Sequence, residues 1–270
     1  MSRHFFIEST LRGFARALSR ALQSEQLAPR RGLLQAFDPR VRLAGIFALV
    51  VATTVSRRLS VIVFLFAVAV LMALCSGIRL QTLLTRVWLV VLGFTGVIAL
   101  PAILITPGNT VAAFGGFAVT EQGLRTAALL VLRVETAVTL TTTLVLCTRW
   151  AHILKSLRAV RMPAEVITML MMTHRYIFLF IETANQMFES RQSRMIGALS
   201  GAEQRRVASR TAGVLLSKSI DLSEEVYLAM LSRGFRGDIQ LITEFRMHAL
   251  DYAGLAACLA FAAAAAWIGR

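Results

Sequence analysis

Five long apolar runs, at about residues 41–56, 59–78, 87–106, 124–148 and 248–268, constrain this chain more than any other feature. Each approaches the roughly 17–25 residues that a helix needs to cross the hydrocarbon core of a bilayer, the first only marginally. A spanning segment must satisfy its own backbone groups in lipid, which apolar runs of this length do as helices. The expected fold class is therefore an all-α polytopic membrane protein with about five transmembrane helices. Composition agrees, since 16% of the residues are charged, whereas soluble domains average about a quarter.

Residues 149–246 separate the fourth run from the fifth. This stretch is far longer than a common connection and should carry structure of its own. The expected organisation is a cytoplasmic amphipathic arm over 1–37, four transmembrane helices over 38–148, a cytoplasmic helical domain over 149–246, and a C-terminal transmembrane helix over 247–270.

Local signals fill in this outline. In the arm, Phe6, Leu11, Phe14, Leu18, Leu22 and Leu27 recur at helical spacing beside Arg12, Arg16 and Arg20. That pattern predicts a basic amphipathic helix over 5–28, suited to the membrane surface or to the protein's own cytoplasmic domain, and not a signal peptide. Asp38 and Pro39 read as the N-cap and first position of the next helix. Arg57 and Arg58 leave room only for a tight hairpin between the first two spans. Pro163 predicts the start of a long helix through about residue 198. Its stretch 166–181 is apolar but short for a span and carries His174 and Arg175 near its middle, so it is expected to be an amphipathic helix buried against the spans. Two further helices are expected near 203–219 and 221–234.

The charge distribution sets an orientation. Lysine and arginine total 29 against 15 acidic residues, a net charge of +14, and only Lys155 and Lys218 are lysines. With the N-terminus inside, 24 of the 29 basic residues fall in cytoplasmic segments, and only Arg57, Arg58 and Arg270 lie outside. The 107–123 loop contains none. The positive-inside rule then places the N-terminus in the cytoplasm and the C-terminus outside an inner (plasma) membrane. Nucleic-acid binding is disfavoured, because the basic residues alternate with long apolar runs.

Most chemical sites find no support. Cys75, Cys147 and Cys258 lie in separate apolar segments without metal-ligand spacing, and read as small buried hydrophobes. His4, His152, His174 and His248 are dispersed. Met169, Met171 and Met172 fit adaptable core packing better than soft metal ligation. Gly213–Ser219 lacks the second glycine of a phosphate-binding loop and sits in a helical pattern, so ATP hydrolysis by this chain is not expected.

Arg133 and Glu135 fall near the middle of the fourth span, where an ionisable group costs about 3 kcal/mol on insertion scales unless it is paired or hydrated. They are expected to contact the cytoplasmic helices or another subunit, with a polar pathway as the alternative. A membrane-embedded enzyme using Glu135, His174 and Glu182 is a competing class. A channel would need polar residues recurring along several spans, and only the fourth, with threonines at 136, 139 and 141–143, has them.

Two segments stand out within the basic stretch: Gln192-Ser193-Arg194 and Ala229-Met230-Leu231-Ser232-Arg233-Gly234-Phe235. Each sets an arginine beside small residues, an arrangement that lets a guanidinium dock closely on a partner's acidic group. These segments resemble the paired Ala-Arg-Gly signatures of the transmembrane coupling (T) component of energy-coupling factor (ECF) transporters. The chain is most similar to the Q subunit of cobalt and nickel importers, the CbiQ family. Gly32-Leu33-Leu34-Gln35 with Asp38-Pro39-Arg40-Val41-Arg42-Leu43 resembles the family's lead into its first span. Trp150, Leu157, Met162-Pro163 and Arg175-Tyr176 resemble its central helical block.

Ser232-Arg233-Gly234 matches the second signature closely. In the first, Ser193-Arg194-Met195, only the arginine is kept strictly, and Arg191 is an alternative contact. The resemblance implies a non-enzymatic subunit whose Arg194 and Arg233 contact acidic residues of two ATPase partners. ATP and Mg would be bound by those ATPases, with no cofactor in this chain. The other implied partner is a substrate-specific, metal-binding membrane subunit. Cobalt is the first expectation for cargo, then nickel, then a vitamin such as biotin.

Overall fold

The carboxylate of Asp38 accepts the backbone N–H of Arg40 at 2.8 Å, and Pro39 follows as the first helical residue. This is the N-cap that the Asp-Pro pair predicts. In a computed structural model of the chain, residues 32, 34–105, 110–114, 117–158, 161–194, 200–236 and 248–270 are described. The expected 5–28 helix lies outside them.

The described helices are α1 (Pro39–Val55), α2 (Leu59–Cys75), α3 (Leu89–Ile105), α4 (Glu121–Cys147), α5 (Trp150–Leu157), α6 (Ala164–Gln192), α7 (Gly201–Ser232) and α8 (Ala249–Gly269). A helical turn at Leu80–Leu83 and a π turn at Leu84–Trp88 lead into α3. All five expected spans are present as helices, and the α1–α2 connection is the tight hairpin around Arg57 and Arg58. The basic-free loop adds an antiparallel two-stranded hairpin, β1 (Thr110–Phe114) with β2 (Phe117–Thr120). Thr120 then caps α4 by accepting the N–H of Gly123.

The chain divides into two compact units, one holding residues 25–156 and 245–270, the other 1–24 and 157–244. In the first, α1 packs on α8 and α4, while α4 also packs on α2 and α3. Ile46, Leu49 and Ala52 of α1 meet Leu65 and Ala69 of α2, Leu140 of α4, and Ala262 and Ala265 of α8 in one apolar core. A second cluster gathers Leu34, Ala73, Ile78, Leu83, Val87 and Cys147.

The outer faces carry large apolar side chains, which suits lipid. Phe47, Phe64, Leu89, Val90, Phe94 and Val97 are exposed, while Thr53, Thr136, Thr139 and Thr143 are buried. These four hydroxyls each donate to the carbonyl four residues earlier, so burial leaves no donor unmatched. Trp88 Nε1 adds a bond to Thr139 Oγ1 at 3.0 Å. Thr136, Thr139 and Thr143 of the fourth span are therefore packed inside the unit with their hydroxyls satisfied.

Three expectations change. Arg133 donates to the carbonyl of Ser56 at 2.7 Å, tying α4 to the end of α1 inside the same unit. Glu135 is buried, with both carboxylate oxygens unbonded among the described residues, so it does not present a polar face to another subunit. Cys75 is exposed on the apolar surface, unlike buried Cys147 and half-buried Cys258.

In the second unit, the helices expected at 203–219 and 221–234 are one continuous α7. Ser219 and Ser223 donate to carbonyls within the helix, and no proline interrupts it. Helix α6 starts after Pro163 as expected and ends six residues earlier than residue 198. Among its described side chains Ile167 and Ala184 are buried, and Met169 is 66% exposed. By length and composition Ala164–Arg191 could itself cross a membrane, as could α4 and α8. Within its own unit, α6 packs one narrow face on α7.

Candidate functional site

Both signature arginines sit at helix C-termini, where unsatisfied carbonyls favour a cation. The end of α7 is built by its sequence. Arg233 is the C-cap, Gly234 follows at φ +77°, and Gly234 N–H donates to Leu231 O at 2.9 Å. Phe235 N–H donates to Met230 O at 3.0 Å, completing a Schellman motif. Glycine is favoured here because a left-handed backbone costs an L side chain about 1–2 kcal/mol. Ser232 Oγ donates to Ala229 O at 2.9 Å. Ser232, Arg233 and Gly234 are all exposed.

The end of α6 differs. Ser193 is its C-cap, with its N–H on Glu189 O at 3.0 Å and its hydroxyl on Ser190 O at 2.9 Å. Arg194 N–H donates to Arg191 O at 3.1 Å, continuing the turn. Arg191, Ser193 and Arg194 are exposed. Arg233 thus occupies the last capping position and Arg194 the position beyond it, so the two are not placed alike. The structure leaves both Arg191 and Arg194 accessible at this end.

The two helices meet along a groove of about 720 Å³. On α6 the lining recurs at Met169, Met172, Tyr176, Phe180 and Ala184, and on α7 at Leu215, Ser219, Leu222, Val226 and Met230. Steps of three and four keep each set on one helical face. Met230 and Phe235, the residues that close the α7 cap, also line the groove. Arg233 therefore lies in sequence between two groove residues, and its backbone is fixed by the same turn that positions them. At the other end of α7, Ser200 and Glu203 form a capping box, and the Ser200 backbone N–H and hydroxyl hold the Glu203 carboxyl below its ordinary range.

The remaining candidates fall elsewhere. His174 packs edge-on against Phe178, one turn along α6, and Glu182 is exposed. Glu135 belongs to the other compact unit. Gly213–Ser219 lies within α7, where helical backbone amides are paired and cannot cradle a phosphate. Among the described residues, no group of three His, Cys, Asp or Glu side chains could hold a metal ion.

Sequence reasoning did not single out two residues of the first unit. Arg42 donates to the carbonyls of Gln35, Phe37 and Cys147 and to Thr148 Oγ1. Asp251 accepts the N–H groups of Asp38 and His248. The available signals were an arginine inside an apolar helix start and an Asp three residues after a helix-capping position.

Known proteins are similar in sequence to much of this chain. The cobalt transport protein family CbiQ matches residues 31–244. An uncharacterised protein of Methanocaldococcus jannaschii is 28% identical, covering 92% of this chain and 87% of its own. The energy-coupling factor transporter transmembrane protein EcfT of Brevibacillus brevis is 27% identical, over 79% of this chain and 84% of its own. The cobalt transport protein CbiQ of Rhodobacter capsulatus is 29% identical, over 47% of this chain and 52% of its own.

Proposed function

This chain belongs to the CbiQ family and is a transmembrane component of an ECF-type transporter; we propose that it couples ATP hydrolysis in two partner ATPases to cobalt uptake through a separate substrate-binding membrane subunit. One observation carries the coupling role. Arg194 and Arg233 stand exposed at the ends of two long helices that share an apolar face. An arginine held at a helix end offers a planar fork to a carboxylate without first ordering its backbone.

In this reading the ATPases bind ATP and Mg and close, then reopen after hydrolysis. Acidic residues on each ATPase hold Arg194 and Arg233, so closure changes the spacing or angle of α6 and α7. That movement passes to the spans, which tilt the substrate subunit and release its cargo inward. In this reading the chain lies in the plasma membrane with its N-terminus and residues 149–246 in the cytoplasm and its C-terminus outside, which the charge distribution supports. The uncovered apolar surface of α6 and α7 supports this reading, because such a surface needs lipid or a partner. Cobalt is the first choice of cargo, supported by the name of the Rhodobacter relative.

The test is uptake by the reconstituted complex. Labelled cobalt should accumulate with ATP, above nickel and biotin, and Arg194→Ala with Arg233→Ala should abolish it and weaken ATPase retention. Removing one partner of a desolvated charge pair costs about 2–5 kcal/mol. Wild-type uptake in the double variant sinks the coupling role, and nickel or biotin uptake in place of cobalt reassigns the cargo.

A further inference from the structure

Residues 157–244 are inserted into the chain of the first unit, which they leave at Ser156 and rejoin at Phe245. Of that unit's helix ends, the end of α4 (Cys147 and Thr148, with α5 between it and the insertion) and the start of α8 (His248 and Asp251) flank the insertion. Both are bonded to one short segment, Gln35–Arg42, which leads into α1.

Arg42 makes the first attachment with its whole guanidinium. Nε donates to Phe37 O at 2.8 Å, and Nη2 donates to Phe37 O at 2.7 Å and Gln35 O at 3.0 Å. Nη1 reaches Cys147 O at 3.0 Å and Thr148 Oγ1 at 3.3 Å, 105 and 106 residues along the chain. All three nitrogens are engaged, which a lysine ammonium on a single nitrogen cannot reproduce. Asp251 makes the second attachment, since Oδ1 accepts Asp38 N–H at 2.8 Å and Oδ2 accepts His248 N–H at 2.9 Å. Asp38 and Asp251 are both buried.

We propose that Arg42 and Asp251 are positioning residues that form a joint, through which movement of residues 157–244 enters the spans; this rests on the coupling function proposed above. The physical reason lies in the kind of contact. Apolar helix faces can slide with little change in buried area, whereas hydrogen bonds fix direction and length and strengthen where water is excluded. A joint that ties the end of α4 and the start of α8 to the start of α1 moves α1, α4 and α8 together. Without it, the apolar contacts of α1 with α4 and α8 would absorb part of the displacement.

The test uses the full chain assembled with its ATPases and substrate subunit in liposomes, isolated by a tag on an ATPase. Cobalt uptake and ATP hydrolysis are measured together for wild type, Arg42→Lys and Asp251→Asn. The variants should retain their ATPases and hydrolyse ATP. Uptake per ATP should fall about fivefold or more, the factor given by losing one buried hydrogen bond of ordinary strength. An unchanged ratio in both variants overturns the joint while leaving the coupling function standing. Loss of ATPase retention in wild type overturns the coupling function itself. Should either variant fail to assemble, Thr148→Val, which deletes one acceptor at nearly constant shape, decides by the same ratio.

Discussion

The N–H of Phe235 donates to the carbonyl of Met230 at 3.0 Å, so the last turn of α7 closes on Gly234 and holds Arg233 between two groove residues. Gly234 has φ +77° and open space where a Cβ would stand. Gly234→Ala should therefore destabilise this helix end through backbone strain alone, by about 1 kcal/mol. Thermal unfolding in detergent should show the loss, and ATPase retention should weaken because Arg233 is no longer held. Unchanged stability would mean that the turn is not maintained in solution.

Arg233→Ala should impair ATPase retention more than Arg194→Ala. Arg233 is fixed by a complete cap, whereas Arg194 has an exposed neighbour, Arg191, that can take over part of its contact. Arg191→Ala combined with Arg194→Ala should bring the first end down to the level of Arg233→Ala. Retention of ATPase in titrated pull-downs measures all three, and equal effects of the two single variants would remove the asymmetry.

Gly254 and Gly213 make opposite predictions. A Cβ on Gly254 would stand 2.7 Å from Cε1 of Phe37, whose carbonyl accepts from Arg42. Gly254→Val should cost about 1–3 kcal/mol by overpacking. Gly213 lies within α7 with nothing within 4 Å of a Cβ. Gly213→Ala should stabilise the helix by about 0.5–1 kcal/mol. Melting temperatures of the purified variants decide both.

His152 in α5 gives a pH dependence. Burial pushes its imidazole below the ordinary value of 6.5, and the neighbouring positive charges of Arg149, Arg42 and Lys155 act in the same direction. The folded chain therefore resists protonation that the unfolded chain accepts. Stability from this residue should be fully present above pH 6.5 and fall as pH drops from 6.5 toward the lowered folded value. His152→Gln should flatten that part of a stability profile, and an identical profile would rule the residue out as its source.

Much of this architecture is legible in the sequence because its causes are local. Apolar run length marks the five helices α1 to α4 and α8, Asp38-Pro39 starts α1, and Ser232-Arg233-Gly234 already contains the C-cap and the glycine that ends α7. Each depends on hydrogen bonds within about five residues or on the fit of a helix to a bilayer. The division of 203–234 into two helices failed for a related reason: charge spacing changes near Asp221, but nothing there breaks the backbone ladder.

Tertiary structure decided the contacts that join distant parts of the chain. The sequence places Arg133 in a span but does not show that it reaches Ser56, 77 residues earlier. It marks Arg42 as a charge near a helix start, while its bonds to Cys147 and Thr148 exist only once α1 packs beside α4. Asp251 similarly meets Asp38 across 213 residues. In an apolar chain, segment length and side-chain pattern determine which segments become helices. Which polar groups end up paired is set by how those helices pack, because a buried donor or acceptor must find its partner wherever the packed helices bring one within reach.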